Sequence, residues 1–324
     1  MDPLTHVVVG RAVVAAAGGA GINNAQPVAV GAAAILGALS PDIDSIVAFR
    51  GWDLYLRVHQ SGTHSLLGAL TTAALSALLV RLFASRSRDS ALFAAAAAGA
   101  MSHVALDLAS GARIAVGWPL FDRRVAVPLV AMADPWLIGI CIAGLLAVWP
   151  GRVQIRAAAR LALIAVSLFL AFKAATYALA IRRTDIPMTT ANAVEARWGS
   201  LTKWVVYERT SDAVRSTAIS ASGSPGALVI SEPVGPRSSL VEASRALDTV
   251  RNFLAVHEFA FPAVQTDGDR TSVLWSDLRY CAPSAAHRAL ACGVWAGGVF
   301  DRNGRALTQE VKLGPLIQTR RPPG

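Results

Sequence analysis

The chain has 324 residues, 54% hydrophobic and only 16% charged, with a mean hydropathy of +0.46. A soluble globular domain carries about 25% charged residues, so this composition excludes a protein that is water-soluble along its whole length. The net charge of +9 is uneven: residues 1–183 hold 15 Lys and Arg against 8 Asp and Glu, and residues 184–324 hold 15 against 13.

The basic excess therefore falls between apolar runs, where Arg sets membrane orientation rather than binding nucleic acid. The first two runs, 7–20 and 27–39, fall short of the ~20 residues a spanning helix needs. They read as short spans, re-entrant segments or a hairpin packed inside a bundle, with a turn around 21–26. The opening residues Met1 to Thr5 lack the basic start of a cleaved signal peptide. Four further runs, 65–83, 91–110, 129–149 and 157–181, reach or approach spanning length. Ala and Gly crowd 31–37 and 94–98, and small residues let membrane helices approach closely. The loop 81–90 carries Arg81, Arg86 and Arg88, and the loop around 151–160 carries Arg152, Arg156 and Arg160. Both are expected on the cytoplasmic side. Arg113, Arg123, Arg124, Arg182 and Arg183 fall on the other side and count against that orientation.

From Thr184 onward no apolar run is long enough to span. Short strands are expected at 204–208, 227–231, 259–265 and 272–275, an amphipathic helix at 239–256, and a hairpin from 294–300 and 306–311 around Asn303-Gly304. The expected fold is mainly α: a polytopic membrane helical bundle over 1–183, then a small soluble α+β domain over 184–324. Cys141 reads as a small core residue. Cys281 and Cys292 form a disulfide if their domain is extracytoplasmic, or stand as two buried thiols.

The chemistry gathers in the first 107 residues. Of six His in the chain, His6, His59, His64 and His103 lie at ends of apolar segments, as do Asp42, Asp44 and Asp107. Following the chain up and down through the bilayer returns all seven to one membrane face. Neutral imidazole and ionised carboxylate are typical ligands of zinc and similar divalent ions. His103 and Asp107 share one helical face, because four residues are about one turn. His59 and His64 are five apart, so one of them belongs to a loop. Asp42 and Asp44 have the spacing to bridge two ions. Each feature has a plainer reading: Ser40-Pro41-Asp42 is a good helix start, His103–Asp107 a hydrogen-bonded pair, and His6 an interfacial residue. Their joint confinement to one face of a charge-poor region is what capping does not explain. His257 and His287 read as packing or surface residues.

These residues resemble a family. Thr5-His6, Ser40-Pro41-Asp42-Ile43-Asp44, His59 with Gly62-Thr63-His64-Ser65, and Ser102-His103 through Leu106-Asp107 look like motifs of the YdjM-like inner-membrane proteins. Trp118-Pro119-Leu120-Phe121 followed by Ala133-Asp134-Pro135 is similar to a further family pattern, and Pro262 and Ser276-Asp277-Leu278-Arg279-Tyr280 resemble the C-terminal extension of its longer members. More distantly, His6, Asp42, His64, His103 and Asp107 are similar to part of the ligand order of zinc-dependent phospholipase C and P1 nuclease. The resemblance implies a metal-dependent hydrolase of the bacterial inner membrane, with metal ligands His6, Asp42, Asp44, His64, His103 and Asp107 and catalytic residues Asp42, Asp44 and His59. Where the family has Arg after the position of His59, Gln60 stands here, leaving Arg57 or Arg50 to meet an anionic substrate.

The expected activity is hydrolysis of a phosphoester or ester by metal-activated water, with zinc the expected ion. A site at the bilayer surface favours a lipid or lipid-linked substrate. The alternative is a non-catalytic protein that binds or transports divalent ions, for which Lys173 is the one midplane candidate. A third reading makes the cluster a structural metal staple and the soluble C-terminal domain the working part.

Overall fold

The computed structural model describes residues 1–18, 27–84, 87–148, 154–184, 186, 192–223, 227–234, 238–281 and 292–322. The turn expected at 21–26, and Arg86, Arg152 and His287, lie outside the described residues. The chain forms two compact units: Met1–Asp44 with Gln60–Arg183 and Glu195–Trp204, and Ser45–His59 with Thr184–Val194 and Val205–Gly324.

The first unit is helical. Its helices are α1 (Pro3–Ala17), α2 (Pro27–Leu39), α4 (Leu66–Phe83), α5 (Asp89–Ala109), α6 (Pro135–Val148) and α7 (Ile155–Arg182). Helix α2 stops at Leu39 because Pro41 has no N–H to offer the Gly37 carbonyl. The Ser40 hydroxyl donates to that carbonyl instead, at 2.9 Å. The chain then tightens into a 3₁₀ segment, Ser40–Phe49. Together, Pro27–Phe49 is an apolar stretch of 23 residues, and with Leu66–Phe83, Asp89–Ala109 and Ile155–Arg182 it is long and apolar enough to cross a membrane. The run expected at 129–149 is shorter as a helix. Asp134 caps α6 by accepting from the amides of Trp136 and Leu137, while the amides of Leu129 and Val130 bond to the Ala109 carbonyl.

Small residues make the core of this bundle: Ala33, Ala34 and Ala38 of α2, Ala69 and Ala73 of α4, and Ala96 and Ala100 of α5 are all buried. A side chain on Gly37 would overlap the Ala96 carbonyl, and one on Gly99 would overlap the Ala34 carbonyl. Helices α2 and α5 therefore touch backbone to backbone, the contact that only glycine permits. Leu75, Leu78, Leu82, Leu161 and Leu168 point outward and exposed, which suits a hydrocarbon solvent rather than water.

The second unit is built on two antiparallel sheets. One has the order β1 (Asn192–Ala196), β2 (Lys203–Arg209), β3 (Ala213–Ser220), β4 (Ala227–Pro233). The other runs β5 (Ala260–Asp267), β6 (Arg270–Asp277), β7 (Val294–Phe300), β8 (Ala306–Leu313), β9 (Leu316–Arg320). The hairpin expected around Asn303-Gly304 is β7–β8, with Gly304 at positive φ. The helix expected at 239–256 is two: α8 (Ser239–Ser244) and α9 (Asp248–Leu254). At the break the Ser244 hydroxyl turns back to the Val241 carbonyl and accepts from the buried Trp275 indole, a side-chain bond that competes with helix continuation. Helix α3 (Trp52–Val58) packs Trp52 and Leu56 onto Val250, Phe253 and Val311. Its buried Asp53 is held by Arg320 and by Asn252, whose amide donates at 2.7 Å. Arg57 donates to the same Asn252 at 3.0 Å. Cys281 and Cys292 are joined in a disulfide.

His257 is the packing residue its context suggested, stacked on Phe253 with Nδ1 3.1 Å from Asp277. Burial alone would raise the Asp277 carboxyl. The Arg279 charge and the bonds from Arg279 and His257 outweigh it and hold it well below the usual carboxylate range. The chain is about half helical, and among the described residues the strands lie after Arg183. The sequence reading thus undercounts strand: β1 and β9 are short, and β3 is interrupted by Arg215, Ser216 and Thr217, so they carry little alternation to detect.

Candidate metal centre

The cluster lies within the helical unit. Helix α5 carries His103 and Asp107 one turn apart, both buried. The close packing at Gly37 and Gly99 brings the Ala38 carbonyl of α2 to 2.7 Å from His103 Nδ1. To make that bond Nδ1 must carry the proton, so the lone pair of Nε2 faces the other way. His64 ends the 3₁₀ turn Gly62–His64, just before Ser65 caps α4. The segment 60–66 is pinned at both ends: the Ala115 amide donates to the Gln60 carbonyl and the Leu66 amide to the Val116 carbonyl. Asp44 Oδ2 lies 3.4 Å from His64 Nδ1 and accepts from the Thr63 hydroxyl at 3.1 Å. That arrangement places the His64 proton on Nδ1 and again frees Nε2.

The two free nitrogens meet. His64 Nε2 and His103 Nε2 are 3.3 Å apart. Asp42 Oδ1 is 3.3 Å from the first and 3.6 Å from the second. Asp107 Oδ2 is 3.5 Å and 3.4 Å from them. A tetrahedral ion with ligands at about 2.0–2.1 Å has donor–donor edges of about 3.3–3.4 Å. Five edges of the tetrahedron formed by His64, His103, Asp42 and Asp107 thus match a zinc-sized ion to a few tenths of an ångström. Two imidazole lone pairs and two carboxylates this close repel one another unless a cation sits among them, so the donor set fits a divalent ion.

His6 reaches the same cluster from α1. Its Nε2 lies 3.2 Å from Asp107 Oδ1, and its ring stacks on His103 at 3.7 Å. Neither ring nitrogen of this buried His makes a well-formed hydrogen bond among the described residues. His6, His103 and Asp107 each offer a donor atom within 4.8 Å of the others. Asp107 therefore turns one oxygen to His6 and the other to His64 and His103, the disposition of a carboxylate shared between two ions. Its Oδ1 also accepts from the Met1 amine at 2.5 Å.

Within the helical unit the structure brings together six of the seven residues singled out in the sequence. The seventh, His59, follows α3 and belongs to the other unit, with its ring stacked on Tyr55. Asp44 faces the far nitrogen of His64 rather than its Nε2. Arg57, a stand-in for the missing family Arg, is committed to Asn252, and Gln60 adopts a positive φ of 64°. Sequence reasoning missed the Ala38 carbonyl and the Thr63 hydroxyl. The first leaves no side-chain signal, and the second was visible only as part of the Gly62-Thr63-His64 motif.

Burial works against a charged His64, but hydrogen bonds to Asp42 and Asp44 and the nearby Asp107 charge push its pKa up to about 9. Without an ion, a proton takes the cation's place, and an incoming ion must displace it. The dependence on helix contact gives a first prediction. Gly99→Ala should force α5 off α2, pull the Ala38 carbonyl from His103 and lower metal content, while circular dichroism stays helical. Full metal loading in this variant would show that the helix contact does not position the ligands.

The family model of the YdjM inner membrane proteins matches residues 1–180. The chain belongs to this family. Among the described residues, four apolar helices long enough to cross a membrane agree with that membership, and the chain is an inner-membrane protein. No curated protein and no solved structure matches it significantly. The YdjM match covers the whole His and Asp cluster and ends before the sheets begin.

Proposed function

We propose that this protein is a membrane-embedded metal-dependent hydrolase that cleaves a phosphoester or ester of a lipid or lipid-linked substrate. The carrying observation is the near-tetrahedral set of His64, His103, Asp42 and Asp107 donors. A divalent ion bound there, zinc by the size and chemistry of the set, supplies Lewis acidity and water with a pKa of about 7. His6 and the second oxygen of Asp107 offer part of a second ion's shell. Asp44 and the Ala38 carbonyl orient the two imidazoles by holding their Nδ1 protons. Asp42 is the accessible member, with its side chain 33% exposed while His64, His103 and Asp107 are closed off. Water and substrate reach the cluster past Asp42. His59 stands as the further catalytic candidate, and His59→Ala tests whether turnover needs it.

The alternative of ion transport has lost its midplane residue. Lys173 donates to the Ser200 carbonyl at 2.9 Å and lies over the Trp204 ring, so it is part of the packing of α7. The test is a metal analysis of detergent-purified protein prepared without chelator, followed by a screen of phosphomonoester, phosphodiester and carboxylester substrates in lipid. Protein free of any stoichiometric divalent ion would overturn the hydrolase reading. Metal flux into vesicles with no product from any ester would decide for transport.

We also place the cluster and the C-terminal unit on the extracytoplasmic side. The Arg residues of the segments 81–90 and 151–160, at the ends of apolar helices, support this, as does the Cys281–Cys292 disulfide, a bond of oxidising compartments. Single cysteines at Ser87 and Gln154 should react with an impermeant reagent only after the cytoplasmic side is opened. One at Ser222 should react in intact cells. The reverse pattern would put the site in the cytoplasm.

A further inference from the structure

The 3₁₀ segment that carries Asp42 and Asp44 does not end with them; it runs on to Phe49. A 3₁₀ helix has three residues per turn, so residues three apart align on one side. Ile43, Ile46 and Phe49 form such a row, and all three are exposed, Phe49 by 90%. With Val47, Leu54 and Val58, the residues Ile46 and Phe49 line a groove of about 450 Å³ whose one charged wall residue is Arg50. Ligand pockets commonly measure about 300–1,000 Å³. The 3₁₀ segment is the last part of Pro27–Phe49, a stretch long and apolar enough to cross a membrane. An exposed apolar row, a groove and a cation thus follow directly on two of the carboxylates of the metal cluster.

We propose that this groove seats the hydrocarbon chain of an anionic lipid, with Arg50 meeting the headgroup charge, and that a lipid so held is the substrate class of the metal centre. The second half of this proposal rests on the hydrolase reading above; the first half does not. A neutral apolar partner leaves Arg50 unused, and a protein partner does not explain why the row lies on a membrane-crossing stretch. A single lipid chain accounts for both.

The test uses the full-length protein in nanodiscs containing phosphatidylglycerol or phosphatidylcholine with a photoactivatable group on identical acyl chains. Cross-linked peptides are mapped by mass spectrometry. The exposed α4 residues Leu75 and Leu78 serve as the internal standard for ordinary bilayer contact. Peptides covering 46–58 should be labelled above that standard, with phosphatidylglycerol favoured about fivefold, the size expected of one Arg beside an anionic lipid surface. Arg50→Gln, at an exposed position, should remove the headgroup preference and keep the labelling. Val58→Trp should fill the groove and lower labelling of 46–58 while α4 is labelled as before. Labelling no stronger than that of α4 and indifferent to the headgroup would overturn the proposal. Strong, phosphatidylglycerol-selective labelling in a protein that hydrolyses nothing would support the groove and count against the hydrolase reading alone.

Discussion

His103→Ala is expected to strip the divalent ion from the purified protein while leaving the helical bundle assembled. The imidazole supplies one vertex of the donor tetrahedron, and its Nε2 lies within 3.3–3.6 Å of the other three donors. A four-ligand zinc site binds with about 10–16 kcal/mol, so one ligand contributes on the order of 3 kcal/mol, or ~10²–10³ in affinity. His64→Ala should behave alike, because it removes the nitrogen closest to both His103 and Asp42. The bundle should survive either change. Its core is the Ala and Gly seam between α2, α4 and α5, and removing a ligand adds no bulk to that seam. Metal content by elemental analysis and helicity by circular dichroism decide the matter. A His103→Ala protein that keeps its full complement of metal would dismiss this cluster as the binding site.

The second large effect separates two carboxylates only two residues apart. Asp42→Asn removes a charged donor from the tetrahedron and should abolish turnover of any substrate found in the screen. Asp44→Asn leaves all four donors in place but weakens the partner that holds the His64 proton. Loss of such an outer partner typically costs about 10–100-fold in affinity or activity. The expected result is therefore a graded pair: silence from Asp42→Asn, and reduced but measurable activity from Asp44→Asn with a weakened metal affinity. Equal and complete loss in both would make Asp44 a direct ligand. Activity unchanged in both would identify a contaminant as the source of the signal.

The amino-acid sequence by itself determined that the first half of this chain belongs in a membrane and that its His and Asp are gathered there. Hydropathy is additive along the chain, and the cost of charge in hydrocarbon is large enough to be read from composition alone. The i, i+4 pair His103 and Asp107 was equally plain, since helix geometry brings those residues to one face whatever surrounds them. What only the tertiary structure decided was the division of labour among the ligands. Asp42 and Asp44 look equivalent in Ser40-Pro41-Asp42-Ile43-Asp44, but in a 3₁₀ helix they point in different directions, one to His64 Nε2 and one to its Nδ1. The proton that orients His103 goes to the backbone carbonyl of Ala38, which no residue type announces. Nor did local sequence reveal that the stretch between Asp44 and Gln60 leaves the helical unit. Trp52 and Leu56 find their apolar partners near 250 and 311, and Asp53 finds Asn252 and Arg320. Those pairings span about 200 residues or more of chain, where periodicity carries no information and only packing chooses.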